Sequence, residues 1–564
     1  KAPGVTYTVE TAHAGPSLAW LLAPAKDVSP GPSPDAARAA LKRVFGYDDF
    51  RPGQRAVIDA PLSGRDALAV MPTGAGKSLC FQIPALLMDG VTLVVSPLIS
   101  LMKDQVGALV QSGVKAAFLN SSLTERQFDA ALRYAAEGRY RLIYVAPERL
   151  LTERFVAFAA RANIAMIAVD EAHCLSQWGQ DFRPSYLDIP SFVDALPKRP
   201  VLGAFTATAT PKVKEDILKL LRLRDPVSVQ TGFDRKNLYY EVLRPGQKQA
   251  ALLALIKKYK NQSGIVYCAT RKNVEEVAAL LLSRGVAAAK YHAGLSDAER
   301  RENQEDFTFD RKPFIVATNA FGMGIDKSNV RFILHYNMPK DIESYYQEAG
   351  RAGRDGEPAR CVLLYSGQDV GIQRYLIDQE IEGDALSPAE RARVRKAERA
   401  RLQRMTDYCL TRECLREHIL RYFGDAAGAP CGNCGNCAAS LAARDVTDAA
   451  RWVLRCVRDT GERFGIGTVT ECLRGANTAR IRRFGLARQP AYGALSGMSA
   501  EDLKAIGEQL VVEEYLRITE GRLPVAALGE RGTAALRDET PILLKLPGKA
   551  RRPLAEESIP PAAD

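Results

Sequence analysis

Residues 71–78 read Met-Pro-Thr-Gly-Ala-Gly-Lys-Ser and lie between an apolar run, 66–70, and a helix-like segment, 79–88. A strand, a glycine-rich turn and a helix N-terminus together form a phosphate cradle, because backbone N–H groups and the helix dipole both face the anion. The stretch therefore predicts a P-loop. An ordinary glycine turn before a core helix is the alternative interpretation.

The polar residues of this loop have distinct predicted roles. Lys77 is expected to reach the β- and γ-phosphates, and the Ser78 hydroxyl to hold Mg²⁺. Met71 stands where the usual pattern has its first glycine. The residues predicted to bind the phosphates are Thr73, Gly74, Gly76, Lys77 and Ser78.

The bulk composition is that of an ordinary globular protein. The chain has 564 residues, enough for roughly three to four domains, with 46% hydrophobic and 25% charged residues. A net charge of +11 weakly favours a polyanionic partner. The first residues lack the pattern of a signal peptide, and no run of about 18 apolar residues indicates a membrane span. We therefore expect a cytoplasmic protein without a membrane partner.

Short apolar runs alternate with amphipathic segments from residue 66 to about residue 223, which predicts a doubly wound parallel sheet. Ligands of such sheets bind beyond the carboxyl ends of the strands. Polar residues follow five of these runs, so we expect them to converge on one site. They lie at 71–78, 96–98, 146–148, 170–173 and 206–208.

Asp170 and Glu171 directly follow the apolar run 164–169. Behind a P-loop strand, Asp170 is expected to orient Mg²⁺, and Glu171 to position and activate the attacking water. His173 is expected to report the nucleotide state to residues 206–208. A solvated acidic turn is the alternative.

An aromatic, an arginine and a glutamine precede the P-loop at 45–54 and could form a base-recognition pocket. Tyr47 would stack on adenine, the Gln54 amide would bond the N6 and N7 edge, and Arg51 would support either group. A surface turn with a packed tyrosine is an equally good interpretation of this stretch alone.

A second alternating set, 238–364, predicts another α/β domain, which has no P-loop of its own. Near its end Arg351 and Arg354 lie three residues apart among glycines. Two such arginines can reach an anion on a facing domain when a cleft closes, as arginine fingers do. A basic surface turn is the alternative, but two α/β domains with one P-loop and one arginine pair describe an ATP-driven motor.

Four cysteines crowd together late in the chain, with the spacing C-x16-C-x2-C-x2-C. Four thiolates suit tetrahedral Zn²⁺, and intervening glycines permit a tight knuckle. Disulfide pairing is the alternative, and Cys409 lies outside the pattern. The predicted ligands of this structural zinc site are Cys414, Cys431, Cys434 and Cys437.

The motifs, in this order, resemble those of the RecQ family of superfamily-2 helicases, of the bacterial type. The resemblance runs from about residue 38 to residue 540. The segments that carry it are 45–54, 71–78, 96–106, 144–150, 170–173, 205–210, 265–274, 291–296, 316–326 and 347–356.

The segment 174–184 resembles the aromatic-rich loop of this family. Trp178 and Phe182 offer flat faces on which unpaired bases can stack, and Arg183 offers charge to the DNA backbone or the nucleotide. Core packing of the two rings is the alternative. Gln180 stands where the family usually has histidine, so the coupling role of that position is open.

The segment 446–540, three helices and a hairpin at about 515–528, resembles the RecQ winged helix. Arg480 and Arg482 lie in a cationic stretch suited to duplex phosphates. The long basic helix predicted at 387–409 precedes the zinc cysteines.

We therefore predict two RecA-like α/β domains, a helical zinc-binding module and a winged helix. The resemblance implies an ATP-dependent 3′→5′ DNA helicase that uses ATP, Mg²⁺ and Zn²⁺, binds single-stranded and duplex DNA, and acts on forked, tailed or junction DNA in repair and recombination. It also implies association with the nucleoid. The alternatives are a superfamily-2 RNA helicase and a non-enzymatic winged-helix DNA-binding protein. The predicted segments are an extension at 1–34, helicase domains at 35–232 and 233–366, the zinc module at 367–443, the winged helix at 444–540 and a loose tail at 541–564.

Overall fold

The structure is a computed structural model that describes residues 35–546, apart from 98, 121, 180, 261, 322–326, 384–386, 426–427, 429, 440–442, 520–524 and 539. The predicted N-terminal extension, Gln180, the tip of the predicted hairpin and residues 547–564 lie outside the described residues.

The first domain is built on seven parallel strands in the order β3-β4-β2-β5-β6-β1-β7. Four of the six strands predicted from the apolar runs are buried along their whole length, and β5 and β6 along all but one residue, as expected for a sheet covered by helices on both faces. The strands are β1 Ala67–Val70, β2 Val91–Val95, β3 Ala116–Leu119, β4 Leu142–Val145, β5 Ile164–Val169, β6 Val201–Thr206 and β7 Val227–Gln230.

This strand order places β1 beside β6, and β6 beside β5. The P-loop, Thr206 and the acidic pair therefore leave the sheet at neighbouring carboxyl ends. The α-helices of the domain are Ala36–Ala40, Gln54–Leu62, Leu79–Leu87, Ile99–Gln111, Glu125–Ala136, Glu153–Ala159, Ile189–Asp194 and Pro211–Leu220. The helix Ala36–Ala40 continues into a π-helical turn, Leu41–Phe45.

The second domain contains six parallel strands in the order β10-β11-β9-β12-β13-β8. The strands are β8 Leu238–Leu243, β9 Ser263–Tyr267, β10 Ala288–Tyr291, β11 Phe314–Ala317, β12 Val330–His335 and β13 Ala359–Leu364. The helices are Lys248–Lys258, Arg271–Ser283, Asp297–Thr308 and Ile342–Ala349. The last helix leads directly into the turn that carries Arg351 and Arg354.

A helical module follows the second domain. The predicted basic helix is Pro388–Leu410, and Ser387 and Glu390 form a capping box at its start. It packs against the helix Gly367–Gly383. The remaining helices of the module are Leu415–Tyr422, which directly follows Cys414, and Gly435–Ala438, which contains Cys437.

The C-terminal domain has its own apolar core and the winged-helix arrangement of helices and short strands. Its helices are Thr447–Asp459, Ile466–Leu473, Ala479–Arg483, Ala500–Val512 and Glu530–Ala535, and its strands β14 Ala443–Asp445, β15 Leu516–Ile518, β16 Ala526–Leu528 and β17 Leu543–Lys545. Strand β17 pairs antiparallel with β14. The prediction of a loose tail from residue 541 is therefore wrong for these residues, because Ile542 and Leu544 are buried in the core of this domain.

Glu343 is a buried acidic group at the joint between the second domain and the helical module. It is 4% exposed, and the Tyr422 hydroxyl donates to its Oε1 over 2.6 Å. Burial and the neighbouring Asp341 carboxylate raise the pKa of Glu343 to about 7, against the opposing effect of Arg401.

This raised pKa predicts a pH-dependent stability. Between the ordinary value of 4.5 and about 7 the folded chain binds more protons than the unfolded chain, so the free energy of unfolding falls as pH rises through that window. Because Glu343→Gln removes the charge, we expect its free energy of unfolding, relative to that of the native chain, to be higher at pH 8 than at pH 5 by roughly 2 kcal/mol. Melting temperatures of both proteins at the two pH values measure this difference. Glu302→Gln, on an exposed face, is the control. An equal difference at both pH values would contradict the raised pKa.

Candidate functional site

The P-loop follows β1 and turns through two glycines in the left-handed region, Gly74 at φ 86° and Gly76 at φ 79°. A Cβ at Gly76 would lie 2.4 Å from the side-chain nitrogen of Gln54, so no other residue fits there without displacing Gln54. Met71 is buried, and its N–H donates to the Thr206 carbonyl. Its φ is not in the positive range, which explains why this position does not require glycine.

Lys77 lies between the two carboxylates that follow β5. Its Nζ is 3.5 Å from Asp170 Oδ1 and 3.4 Å from Glu171 Oε1. Glu171 has a left-handed backbone, φ 48°, which is uncommon for a residue with a side chain and typical of functional sites. The strand ends thus bring the predicted lysine and both predicted acidic residues together.

The charges of this cluster depend on one another. Burial lowers the pKa of Lys77, but Glu171 and Asp170 outweigh it and the net shift is upward. Burial raises the pKa of Asp170 in spite of Lys77. At Glu171 the attraction of Lys77 and His173 exceeds the effect of burial and lowers the pKa. Lys77 is therefore charged and Glu171 ionised at neutral pH.

The donor set beside the P-loop fits Mg²⁺. Asp170 Oδ1 and Glu171 Oε2 are buried and accept no hydrogen bond among the described residues. Within the described part of the chain, the Ser78 hydroxyl receives one long hydrogen bond, 3.4 Å, from the Gln105 amide. Mg²⁺ prefers hard oxygen ligands such as these carboxylate and hydroxyl oxygens, which lie next to the phosphate cradle.

Two of the three residues predicted to recognise the base, Arg51 and Gln54, hold the P-loop itself. The Gln54 amide donates to the carbonyls of Ala75 and Gly76 at 3.1 and 3.0 Å, and its oxygen accepts the Arg51 N–H at 2.7 Å. The Arg51 guanidinium donates to the Gly74 carbonyl. Tyr47 is 54% exposed, with its ring available for stacking. Adenine contact by these residues stays a prediction.

All predicted nucleotide residues line one cleft of about 550 Å³ between the two α/β domains. Arg351 and Arg354 come from the second domain and face the P-loop across it. Arg351 also contributes to lowering the pKa of Glu171. The residues that line the cleft include Tyr47, Arg51, Gln54, Thr73, Gly74, Gly76, Lys77, Ser78, Asp170, Glu171, Arg351 and Arg354.

His173 connects the acidic pair to the second domain. Its Nδ1 lies 2.8 Å from Thr206 Oγ1 and 3.4 Å from Glu171 Oε2. Because the Thr206 hydroxyl donates to the Thr208 carbonyl, Nδ1 of His173 carries the proton. Gln347, in the second domain, donates to the Thr208 hydroxyl over 3.4 Å. This completes the contact that the sequence predicted between His173 and residues 206–208.

The aromatic-rich loop lies directly against the hydrolytic residues. A Cβ at Gly179 would lie 2.2 Å from the His173 carbonyl, so the loop doubles back onto the acidic motif. Trp178 is 50% exposed, and Phe182 is half-buried. The Arg183 guanidinium donates to Asp181 at 3.0 Å and to the Pro97 carbonyl at 3.2 Å, and so anchors the loop. Its predicted contact with DNA remains a prediction.

The four predicted zinc ligands form one cluster, with all their sulfur atoms within 4.8 Å of one another. The Cys431–Cys437 and Cys414–Cys434 sulfur separations are both 4.0 Å. Disulfides require about 2.05 Å, whereas tetrahedral zinc with bonds of about 2.3 Å requires about 3.8 Å. The cluster fits Zn²⁺, and its four ligands leave no open position, as in a structural site.

Two of these sulfurs accept backbone hydrogen bonds, which orient them and stabilise thiolates. The Cys431 N–H donates to Cys414 Sγ at 3.4 Å, and the Asn433 N–H donates to Cys431 Sγ at 3.3 Å. Cys409 is buried outside the cluster.

Arg480 and Arg482 are exposed on the short helix Ala479–Arg483 of the winged helix. Arg480 donates to the Thr468 hydroxyl and Arg482 to the Asn477 side chain, which fixes the directions of both guanidinium groups. Phe484, 46% exposed, lies beside them. The surface has the charge needed for DNA phosphates.

Four family models match the chain in sequence order. They are DEAD/DEAH box helicase at residues 51–217, helicase conserved C-terminal domain at 247–356, RecQ zinc-binding at 367–438 and RQC domain at 441–553.

Curated relatives match over most of their own length. The ATP-dependent DNA helicase RecQ of Bacillus subtilis is 42% identical over 510 residues, which are 90% of this chain and 85% of that protein. The ATP-dependent DNA helicase RecQ of Haemophilus influenzae is 40% identical over 513 residues, 91% and 81% of the two chains. A putative ATP-dependent RNA helicase of Acanthamoeba polyphaga mimivirus is 37% identical over 502 residues, 86% and 89% of the two chains.

A P-loop and an acidic pair in one α/β domain, faced by arginines from a second, define a two-domain helicase motor driven by ATP. The zinc cluster and the C-terminal domain assign this motor to one family of helicases. The matching family models and the sequence identities agree with that assignment. The chain belongs to the RecQ family of helicases.

Three features of the site were not anticipated from the sequence. Asp181 lines the cleft and pairs with Arg183. Gln105 joins Ser78 to a buried amide network through Gln82. Arg235, between the two domains, donates to the P-loop carbonyl of Thr73. The sequence carries no local signal for these pairs, since most of their partners lie far away in the chain.

Proposed function

We propose that the protein is an ATP-dependent DNA helicase that moves 3′→5′ on single-stranded DNA and unwinds tailed, forked or junction DNA in repair and recombination. The observation that carries the proposal is the cleft in which Lys77, Asp170 and Glu171 of one domain face Arg351 and Arg354 of the other. The direction and the DNA structures follow from the resemblance to the RecQ family.

Hydrolysis is assigned to the residues of this cleft. Lys77 binds the β- and γ-phosphates, Glu171 positions the attacking water, and Arg351 and Arg354 stabilise charge on the transferred phosphoryl group. Ser78 and Asp170 would hold Mg²⁺, which would supply charge neutralisation at the phosphates. Tyr47, Arg51 and Gln54 receive the base.

Coupling to DNA is assigned to the loop at 174–184. Trp178 and Phe182 stack unpaired bases, and Gly179 holds the loop on His173, next to Glu171. A base stacked on Trp178 therefore acts on the residues that hydrolyse ATP. Arg480 and Arg482 bind duplex phosphates ahead of the motor.

The two alternatives are less well supported. A winged-helix protein with a decayed motor would not retain the buried Lys77–Asp170–Glu171 cluster, because two unused buried carboxylates and an ammonium are costly. The alternative of an RNA helicase does not account for the zinc-binding module and the RQC domain. One relative named as an RNA helicase makes the nucleic acid worth testing directly.

Unwinding of a fluorescent duplex tests the proposal. We expect strand separation of a 3′-tailed DNA duplex with ATP and Mg²⁺, and little or none with a 5′-tailed duplex or an RNA duplex of the same sequence. Preference for the 5′ tail would contradict the direction, and preference for RNA would contradict the substrate.

Trp178→Ala tests the coupling loop. Loss of one stacked base costs roughly 1–3 kcal/mol, so the single-stranded DNA concentration that half-maximally stimulates the ATPase should rise about tenfold. Leu187→Ala, which removes an exposed apolar side chain just outside the loop, is the control. An unchanged half-maximal concentration for Trp178→Ala would exclude Trp178 from the DNA site.

A further inference from the structure

The linker between the two motor domains, residues 231–237, contains an arginine that contacts both halves of the ATP cleft. Arg235 Nη1 donates to the Thr73 carbonyl of the P-loop at 3.3 Å and to the Gly350 carbonyl at 3.1 Å. Its Nη2 donates to the carbonyls of Ala352 and Gly353 at 3.0 and 3.1 Å. One half-buried guanidinium therefore binds four carbonyls in two domains.

Three of these carbonyls belong to the same turn as the two arginines of the cleft. Carbonyls of the turn at 350–353 are bound by Arg235, whereas the side chains of Arg351 and Arg354 line the nucleotide cleft. The turn also lies directly on the P-loop, because a Cβ at Gly350 would come within 2.7 Å of Thr73 Oγ1. The position of this turn fixes where the two guanidinium groups point.

The zinc-binding module holds the linker from the other side. The buried Arg416 pairs with Asp234 at 2.6 Å and donates to the carbonyls of Arg235 and Leu238 at 2.6 Å each. Asp425 accepts the Phe233 N–H at 2.6 Å. The linker backbone is thus fixed to the module, and the Arg235 side chain extends from it towards the cleft.

We propose that Arg235 is a positioning residue for ATP hydrolysis, which sets the arginine-bearing turn against the P-loop; this rests on the proposed function. Three of its four hydrogen bonds go to the turn and one, the longest, to Thr73. Arg235 is therefore held mainly by the turn, and its bond to Thr73 joins the turn to the P-loop. Arg235 contacts no reacting atom and acts through Arg351 and Arg354.

Steady-state ATPase kinetics with saturating single-stranded DNA test this role in the full chain. Arg235→Ala should lower kcat by about tenfold to a hundredfold, the cost of a misplaced catalytic group, and leave KM for ATP within about threefold. Arg235→Lys should be intermediate, since an ammonium lacks the planar fork that spans several carbonyls. Arg65→Ala is the matched control, because Arg65 binds the Asp225 carbonyl within the first domain alone.

A double-mutant cycle separates positioning from general stability. If Arg235 acts through Arg351 and Arg354, adding Arg235→Ala to the double variant Arg351→Ala/Arg354→Ala should lower kcat by less than about threefold further. Fully additive losses, a change in KM alone, or a native kcat for Arg235→Ala would each overturn the inference. If thermal melting shows that Arg235→Ala is unfolded, the same cycle with Arg235→Lys decides the question.

The failure of this inference is distinguishable from the failure of the proposed function. An inactive Lys77→Ala together with a native-like Arg235→Ala overturns the role of Arg235 alone. ATPase activity that survives Lys77→Ala overturns the function of the cleft.

Discussion

Replacement of Lys77 by alanine is expected to abolish DNA-stimulated ATP hydrolysis and unwinding while DNA binding persists. The ammonium is a buried cation that the first domain presents inside the cleft at the phosphate cradle, and loss of one preorganised charge of this kind costs on the order of a hundredfold or more in kcat. Phosphate release from ATP with and without single-stranded DNA measures the first effect. Fluorescence anisotropy of a labelled 3′-tailed duplex measures the second.

In the native chain Lys77 Nζ lies 3.4–3.5 Å from the Asp170 and Glu171 carboxylates. The same substitution therefore leaves the two carboxylates buried together without their cation. A modest fall in melting temperature is expected as these carboxylates become harder to ionise. Lys212→Ala, on an exposed face of the same domain, controls for loss of a lysine as such. Hydrolysis by Lys77→Ala that still responds to DNA would remove residues 71–78 from the catalytic site.

The strand ends of the first domain illustrate what the sequence predicts well. Runs such as 142–145 and 201–206 are continuous, apolar and rich in β-branched or aromatic residues, so their strands follow from the pattern. Once the sheet is parallel, the polar residues that follow each strand must meet at one edge. This is why the sequence alone predicts that the P-loop, the acidic pair and Thr206 lie together.

Side-chain partners are a different matter, because periodicity carries no information about which distant groups meet. Gln54 is predicted to bond the base, and the pattern does not show that its amide also bonds the P-loop carbonyls. Arg183 is predicted to contact DNA or the nucleotide, and nothing in the local sequence indicates its ion pair with Asp181. No local sequence pattern distinguishes Arg235 from other polar linker residues. Its four carbonyl partners can be identified only from the positions of both domains and of the turn at 350–353.

The predicted end of the winged helix at residue 540 misses strand β17 for a similar reason. Residues 543–545 form a strand of only three residues in a proline-rich stretch, too short for a period-two pattern. Its pairing with β14, about a hundred residues earlier in the chain, supplies the stability that the local sequence lacks. The four cysteines were the opposite case, since spacing alone determined their convergence.

Substitution of Cys434 by serine is expected to remove zinc and to destabilise the module and the linker that it holds. Cys434 is fully buried, and its sulfur lies 4.0 Å from that of Cys414. Zinc binding to a site of this kind contributes directly to folding free energy, so loss of one thiolate removes a large share of it. Because Arg416 and Asn433 of the module bind the linker carbonyls, the melting temperature should fall and kcat should fall with it.

Metal analysis of purified protein measures the first effect, with about one zinc per chain expected for the native protein and well below half of that for Cys434→Ser. Cys409→Ser is the matched control, since Cys409 is equally buried one helix away but lies outside the sulfur cluster, and it should keep its zinc. Removal of zinc from the native chain with a chelator should lower the melting temperature to that of Cys434→Ser. A native zinc content in Cys434→Ser would remove it from the ligand set and would leave three thiolates to hold the metal.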